Sequence, residues 1–462
     1  MCNVLIVILS KNCHSKYKIV ILSECEESYN TMKRRIISRL EKADKQENKR
    51  SFVIYGMKYT GKTYAVLDYV KQNYDEYLYI DAKHNESFLF YLESKIGETL
   101  SKSGIKPDNK TEIENAYSIN AVNLFSEYFN IDPEYLVNIP IILDELPLSI
   151  IDAGVFDGYN GLLKLFIITE AESSARKIAT IINAEKAVFQ MLPMDFGEFL
   201  IANDREWYEE VITGHVQSKR KIPDMIHEEL LDLFGLYEQI GGCPEVVMEY
   251  LQSGSTENIR SKQEAVQAAL LYRIIKECEN DIIRVRIQNI WDAMEQILQK
   301  DNHKFMYTAI RDGVTRREYA PVIDYLCDLG ACIRVCETGC SGAETSNGFR
   351  LYSGDFGLYD IKNPAVVRES LLVQNIISSG AKASYWESGK GASVSIIACL
   401  GGKQVPVELK TSGKSNLRSV KSYMKECNLD KYITLGEENI KDTEAGPVIP
   451  VYACHLLGNI RL

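Results

Sequence analysis

The stretch Val53–Val70, VIYGMKYTGKTYAVLDYV, decides how the rest of this chain is read. It opens as an apolar strand, crosses a loop holding Gly56 and Gly61, and continues with the periodicity of a helix. Inside it, GMKYTGKT matches G-x-x-x-x-G-K-(S/T) in full, and it sits where that pattern has a mechanism, after a strand and opening a helix. Glycines let backbone N–H groups wrap phosphates, Lys62 supplies a point charge to the β and γ oxygens, and Thr63 offers a hydroxyl to Mg²⁺. The candidate nucleotide-binding run is therefore Gly56, Met57, Lys58, Tyr59, Thr60, Gly61, Lys62, Thr63 and Tyr64.

Such a loop needs an acid at the end of a buried strand. The apolar run Ile139–Glu145, IPIILDE, ends in Asp144 and Glu145. Asp144 would join Thr63 around Mg²⁺, while Glu145, catalytic together with Lys62, would polarise the attacking water. The strand EYLYIDA, Glu76–Ala82, falls between the two motifs, as expected when the acidic strand is not the neighbour of the loop's strand. A fourth apolar run, LKLFIITE, ends near Thr169, which either senses the γ-phosphate or is a structural threonine. Arg176, Lys177 and Lys186 follow it and are candidates for the cation that stabilises the transition state. Glu145 favours an ATPase that turns over above a module that only retains nucleotide, and both classes stay open.

Apolar strands separated by helical patterns imply an α/β fold on a parallel sheet. The chain has 462 residues, 45% hydrophobic and 25% charged, which is too long for one core. A formal charge of −11 excludes a protein that coats nucleic acid through bulk charge, although a local basic face remains compatible. Twelve cysteines without repeated spacing point to thiols in a reducing cytoplasm. The densest group, Cys327, Cys332, Cys336 and Cys340, has no C-x-x-C pair and reads as a helix end, a Gly turn and a buried strand. The two N-terminal apolar runs, VLIVIL and YKIVIL, are too short to cross a bilayer. A basic amphipathic helix begins at Met32, so residues 1–31 read as an extension or an upstream start.

From about Phe199 the pattern is helical, punctuated by GGCP, and a Ser/Gly/Thr-rich gap follows at QSGSTEN. A second helical block closes on the strand ACIRVCE, which suggests a winged-helix module, and the polar loop TGCSGAETSNG comes next. SVSIIACLGGKQVPVELKTS reads as two strands joined by a Gly-Gly turn, and NLRSVKSYMKEC as a helix with a basic face.

With GMKYTGKT, IILDE, FIIT, LPMDFGEFL and YEQIGGCPEVV in that order, the chain resembles a bacterial and archaeal family of AAA-type P-loop ATPases. Members carry a C-terminal domain of unknown function that resembles PD-(D/E)xK restriction nucleases, and YWESGKG is similar to a later landmark of the family. The resemblance implies an ATPase core over 32–202, a helical lid over 203–258, a winged-helix-like module over 259–350 and a nuclease-like α/β domain over 351–462. It supports Lys62, Thr63, Asp144, Glu145 and Thr169 as the site for ATP and Mg²⁺. Three departures stand out. Glu170 and Ala171 replace the family's Gly-Ser pair, Pro147 replaces a glutamine, and the nuclease acid is missing.

Cleavage by that fold needs an acid on one strand and E-x-K on the next, so that carboxylates hold Mg²⁺ while lysine assists the water. VELK supplies Glu408 and Lys410, and Glu369 stands where the family has a helical glutamate. Ser395 occupies the place of the strand acid, and a neutral hydroxyl is a poor ligand for a hard cation. The expectation is a cytoplasmic, Mg²⁺-dependent ATPase that switches the winged-helix and nuclease-like domains, the latter without catalysis. The alternatives are a nucleotide-gated DNA-binding or defence nuclease and a non-hydrolysing ATP-bound module. DNA could be met by Arg311, Arg316 and Arg317 or by Arg418, Lys421 and Lys425. A protein partner or a homo-oligomer remains compatible, and no membrane is implied.

Overall fold

Apolar runs with no polar alternation can be buried on both faces, and four of them form the core of the first part of the chain. The computed structural model describes residues 7–8, 32–46, 51–103, 121–152, 155–156, 159, 161–410 and 417–460. Apart from Val7–Ile8, the stretch read as an extension over 1–31 lies outside them. The chain divides into two compact units, Met1–Met191 and Leu192–Leu462.

In the first unit, β1 (Val7–Ile8), β2 (Ser51–Tyr55), β3 (Leu78–Asp81), β4 (Pro140–Asp144), β5 (Lys164–Thr169) and β6 (Val188–Gln190) form one sheet in the order β1-β3-β4-β5-β2-β6. The five strands β2 to β6 are mutually parallel, and β1 is an antiparallel edge of two residues. β5, rather than the strand EYLYIDA, stands between the loop's strand and the acidic strand. Register fixes the rest. Asp81 pairs with Asp144, and Tyr55 pairs with Thr169, so the chemical residues gather at the C-terminal ends of the strands. Ligands of open parallel sheets bind at that edge.

The helix Lys62–Asn73 turns Ala65, Val66, Tyr69 and Val70 inward, and Tyr69 meets Phe166 of β5 at 5.9 Å between ring centroids. Phe52 stacks on the same ring at 4.9 Å. Gly56 adopts φ +152°, and a Cβ added there would stand 2.1 Å from the backbone oxygen of Met191. That close approach, together with the bond from Met191 N–H to Tyr55 C=O at 2.7 Å, demands glycine at the start of the loop.

The second unit begins with helices and ends in a mixed sheet. Phe196–Ala202 opens with a capping box between Asp195 and Glu198, and the longer helices that follow include Asp224–Ile240, Ile259–Glu277, Asp281–Leu298 and Arg316–Asp328. Then come β7 (Cys332–Thr338), β8 (Glu344–Ser353), β9 (Lys382–Glu387), β10 (Ser393–Leu400), β11 (Lys403–Lys410), β12 (Ile433–Gly436), β13 (Lys441–Thr443) and β14 (Gly446–Pro450). They form one sheet in the order β13-β14-β12-β11-β10-β9-β7-β8. Helix Pro364–Ser378 precedes β9, and helix Leu417–Cys427 connects β11 to its parallel neighbour β12.

Three sequence landmarks meet inside this unit. Met194 of LPMDF exchanges a backbone bond with Gly242 of GGCP at 2.7 Å, and Asp355 accepts from Gly242 and Gly357 N–H. Burial raises the Asp355 carboxyl to about 6.

Four expectations need correcting. The division falls at 191/192 rather than 202/203, because LPMDFGEFL packs with the helices that follow it. The boundary expected at 350/351 falls inside β8, whose ladder with β7 joins the sheet through the pairing of Glu337 with Tyr385. The second half of the polar segment TGCSGAETSNG is likewise strand, the start of β8, where Thr338 at the segment's head pairs with Glu344. The cysteines are not all thiols, for Cys340 is bonded to Cys427, with Cα atoms 4.9 Å apart. No helix of the described residues is long and apolar enough to cross a membrane.

Candidate functional site

The loop after β2 closes on itself through its own polar groups. Gly61 takes φ +81° as the N-cap of helix Lys62–Asn73, which sets the positive end of the helix at the loop. Lys62 Nζ donates to Gly56 C=O at 2.8 Å and Met57 C=O at 3.0 Å, and Thr60 Oγ1 donates to Met57 C=O at 2.8 Å. Burial lowers the Lys62 ammonium below its usual range, against the raising influence of Glu170, Asp144 and Glu145. Tyr59 sits at φ +65° in the same loop, and Tyr64 follows in the helix with its phenol pushed up to about 12 by burial.

The loop and the acidic strand are joined directly. Thr63 Oγ1 donates to Asp144 Oδ2 at 2.6 Å, and Tyr79 from β3 donates to the same oxygen at 3.1 Å. Burial raises Asp144 to about 6. A buried acid with a hydroxyl beside it and no salt-bridged cation among the described residues fits a divalent metal that would restore its charge.

Glu145 stands in the left-handed region at φ +53°, held by its N–H to Ile168 C=O at 3.0 Å. Lys58 Nζ lies 3.6 Å from one Glu145 oxygen and 2.7 Å from Glu170, and Lys83 Nζ lies 3.4 Å from the other Glu145 oxygen. That second oxygen is buried and, although it lies beside the Lys83 ammonium, makes no hydrogen bond. Burial works to raise Glu145, but Lys58 first and then Glu170 and Lys83 outweigh it and hold the carboxyl low. Burial raises Glu170 instead. Thr169 ends β5, between Tyr55 of β2 and the acidic strand.

Several residues of this cluster carried no sequence signal. Glu170 was visible only as a departure from the family pattern, and it proves to be the partner of Lys58. Lys83 follows Asp81 by two positions and Tyr79 lies within β3, so both were legible only as strand flanks. Arg34, placed before the first described helix, donates to Thr60 C=O at 2.5 Å. Of the expected transition-state cations, Arg176 pairs with Glu172 on its own helix and Lys177 with Asp152.

In the second unit, Ser395, Glu408 and Lys410 lie on adjacent antiparallel strands. Ser395 precedes Ile396, whose partner Val407 precedes Glu408. Glu408 bonds with Thr434 at 3.2 Å, and Lys410 is paired with Glu438. Glu369 is not brought to them by any bond. It is buried in its own network, accepting from His303 and Arg350 at 2.8 Å each and from Tyr352. Arg311, Arg316 and Arg317 are exposed at the start of helix Arg316–Asp328, and Arg418, Lys421 and Lys425 are exposed along helix Leu417–Cys427.

No family model and no curated protein matches the chain. Among solved structures, the Walker-type ATPase PABY2304 of Pyrococcus abyssi aligns at 14% identity over 73% of this chain and 95% of its own, with a TM-score of 0.39. The ORC1 protein of Aeropyrum pernix, solved in complex with DNA, aligns at 13% over 73% of this chain and 90% of its own, with a TM-score of 0.30. Cdc6p from Pyrobaculum aerophilum aligns at 12% over 75% of this chain and 96% of its own, with a TM-score of 0.26. Likenesses this distant carry no argument, and what the chain does has to be read from its own side chains.

Proposed function

We propose that the first unit binds ATP with Mg²⁺ and hydrolyses it, as an AAA-type P-loop ATPase. The observation that carries this reading is the 2.6 Å bond from Thr63 to Asp144, which couples the phosphate loop to the acidic strand above a buried Lys62. Gly56 to Tyr64 would wrap the phosphates with backbone N–H groups, and Lys62 would exchange its two loop carbonyls for phosphate oxygens. Thr63 and Asp144 would hold Mg²⁺, which supplies neutralisation of phosphate charge when bound. Glu145 would orient a water and accept its proton on the oxygen that makes no hydrogen bond, and Thr169 would contact the water or the terminal phosphate. The same acid separates turnover from simple retention. Glu145→Gln is expected to lower turnover by about 10²–10⁴ while nucleotide affinity is kept. Turnover equal to wild type, measured as phosphate release, would rule out Glu145 as the base.

The second unit is read as the element that this ATPase switches. Helices Asp281–Leu298 and Arg316–Asp328, the β7–β8 hairpin and the bridge of Lys304 to Arg350 support a winged-helix-like module. The run of helix, β9 to β11, helix and parallel β12 supports the nuclease-like scaffold, with Ser395, Glu408 and Lys410 on neighbouring strands. We infer that the scaffold binds rather than cuts, because Ser395 offers no carboxylate and Glu369 is committed to Arg350 and His303. Exposed Arg311, Arg316 and Arg317, or Arg418, Lys421 and Lys425, would supply the phosphate contacts to DNA. Incubation with plasmid DNA and Mg²⁺ or Mn²⁺ is expected to give no nicking. Nicking that disappears in Glu408→Ala or Lys410→Ala would replace this reading with a nuclease.

A further inference from the structure

We propose that Cys340–Cys427 is a reversible thiol–disulfide exchange site, whose reactant is a dithiol and whose bond locks the β7–β8 turn onto helix Leu417–Cys427. Cys340 lies exposed in that turn, whereas Cys427, the last residue of the helix, is partly buried against the cluster of Trp386, Val394, Ile397, Val420 and Tyr423. A thiolate therefore reaches the Cys340 sulfur first. Its attack breaks the S–S bond, forms a mixed disulfide at Cys340 and expels Cys427 as a thiolate that takes up a proton. The reductant's second thiol then attacks the mixed disulfide and releases Cys340, which is protonated in turn. Two electrons and two protons pass to the protein, and the dithiol leaves as a disulfide.

What makes the site reversible is that neither partner depends on the bond for its place. Thr338, at the end of β7, accepts from Gln404 at 2.8 Å, and Gln404 accepts from the Tyr423 hydroxyl at 2.7 Å. This relay ties the base of the turn to β11 and the helix. Tyr423 in turn packs on Trp386 at 5.2 Å between ring centroids. Opening the disulfide frees the tip of the turn while the hairpin ladder and the helix's apolar face persist. The two sulfurs stay close enough to rejoin. The described cysteines left as thiols, Cys243, Cys278, Cys327, Cys332, Cys336, Cys399 and Cys454, are all buried or half-buried, so among the described cysteines Cys340 is the exposed sulfur.

The lock has a surface consequence. Arg418, Lys421 and Lys425 follow the spacing of one helical face, are exposed, and have no ion-pair partner among the described residues. Oxidation holds the turn at the C-terminal end of the helix that carries that face, and reduction lets it move.

The test uses the full chain, with dithiothreitol as the reductant. Native alkylation followed by peptide mapping is expected to leave Cys340 and Cys427 unmodified before reduction and to label both after it, with an unchanged far-ultraviolet spectrum and recovery of the bond on reoxidation. Hydrogen exchange of the turn around Gly339–Ala343 should quicken about tenfold on reduction, and Cys340→Ser should show the fast rate under both conditions. Labelling of both cysteines without reductant, a bond that resists the dithiol, loss of the spectrum on reduction, or unchanged exchange would each overturn the proposal. A final arm rests on the DNA reading above: duplex DNA should bind about threefold tighter to the oxidised protein. Equal binding by both forms overturns the surface consequence. Absence of binding by either form overturns the DNA reading instead, and the alkylation and exchange results then decide the lock.

Discussion

Lys62→Ala is expected to lower ATP turnover by about 10²–10³ and to weaken nucleotide binding with it. The reason lies in what the ammonium now does. Its nitrogen satisfies two carbonyls of the loop that encloses it, Gly56 and Met57, at 2.8 and 3.0 Å. Alanine strands both carbonyls beneath a helix N-terminus and removes the only charge that the loop's final turn contributes. Burial already depresses this lysine, so the free site holds a cation at some cost, and phosphate oxygens would relieve it. Phosphate release and equilibrium titration with a fluorescent ATP analogue read the two effects separately. Hydrolysis by Lys62→Ala at the wild-type rate would end the ATPase reading.

The second large effect is on stability. Glu369→Ala is expected to destabilise the second unit by about 3–5 kcal/mol, because it takes from buried Arg350 its carboxylate at 2.8 Å and leaves it Glu387 at 3.5 Å. Arg350 is also stacked over Tyr385 at 4.4 Å from the ring centroid, so it cannot swing out to solvent without losing that contact. His303 and the Tyr352 hydroxyl lose the same acceptor. Against a typical total of about 5–15 kcal/mol, this is a large share. Chemical denaturation monitored by tryptophan fluorescence measures it, and a loss below about 1 kcal/mol would show that the network is not what holds this region.

The same group gives a pH dependence whose direction is fixed. Burial pushes Glu369 up, but Arg350 first, then His303 and Tyr352, outweigh it and bring the carboxyl from 4.5 down to about 2. A depressed acid binds fewer protons folded than unfolded, so stability rises with pH across this window. Its contribution is whole above 4.5 and is lost as pH falls through about 2. Glu369→Gln should flatten the stability profile over that range, and a profile as steep as wild type would assign the acid sensitivity to other groups.

The parts that were legible in the sequence are those where chemistry and burial write the same letters. Parallel strands buried on both faces must be continuously apolar, so β2, β4 and β5 stood out as runs ending in Tyr55, Asp144 and Thr169. The Gly-Gly turn between β10 and β11 was visible because Gly401 and Gly402 both take positive φ. β6 and β13 were not, because three residues are too few to carry a period. The first half of β8, residues 344–348, was missed because its residues are polar and its strand character comes from β7 across the ladder. Within the site, the pattern of the loop named Lys62 and Thr63, and the apolar run ending in two acids named Asp144 and Glu145. Neither could name Glu170 as the partner of Lys58, since that contact crosses between two strand ends far apart in the chain. The disulfide was hidden for the same reason, its cysteines standing 87 positions apart with no spacing to announce them.

The wall that Met191 provides for Gly56 sets an order of assembly. β2 is laid down early in synthesis, yet both of its neighbours, β5 and β6, emerge much later. A nascent chain still short of Val188 therefore holds the whole phosphate-loop motif without the backbone that closes its back. Non-local pairing of this kind is slow, because loop closure precedes the contacts that reward it. The loop that is written first is finished last, and nucleotide can find a completed cradle only once the first unit has left the ribosome nearly whole.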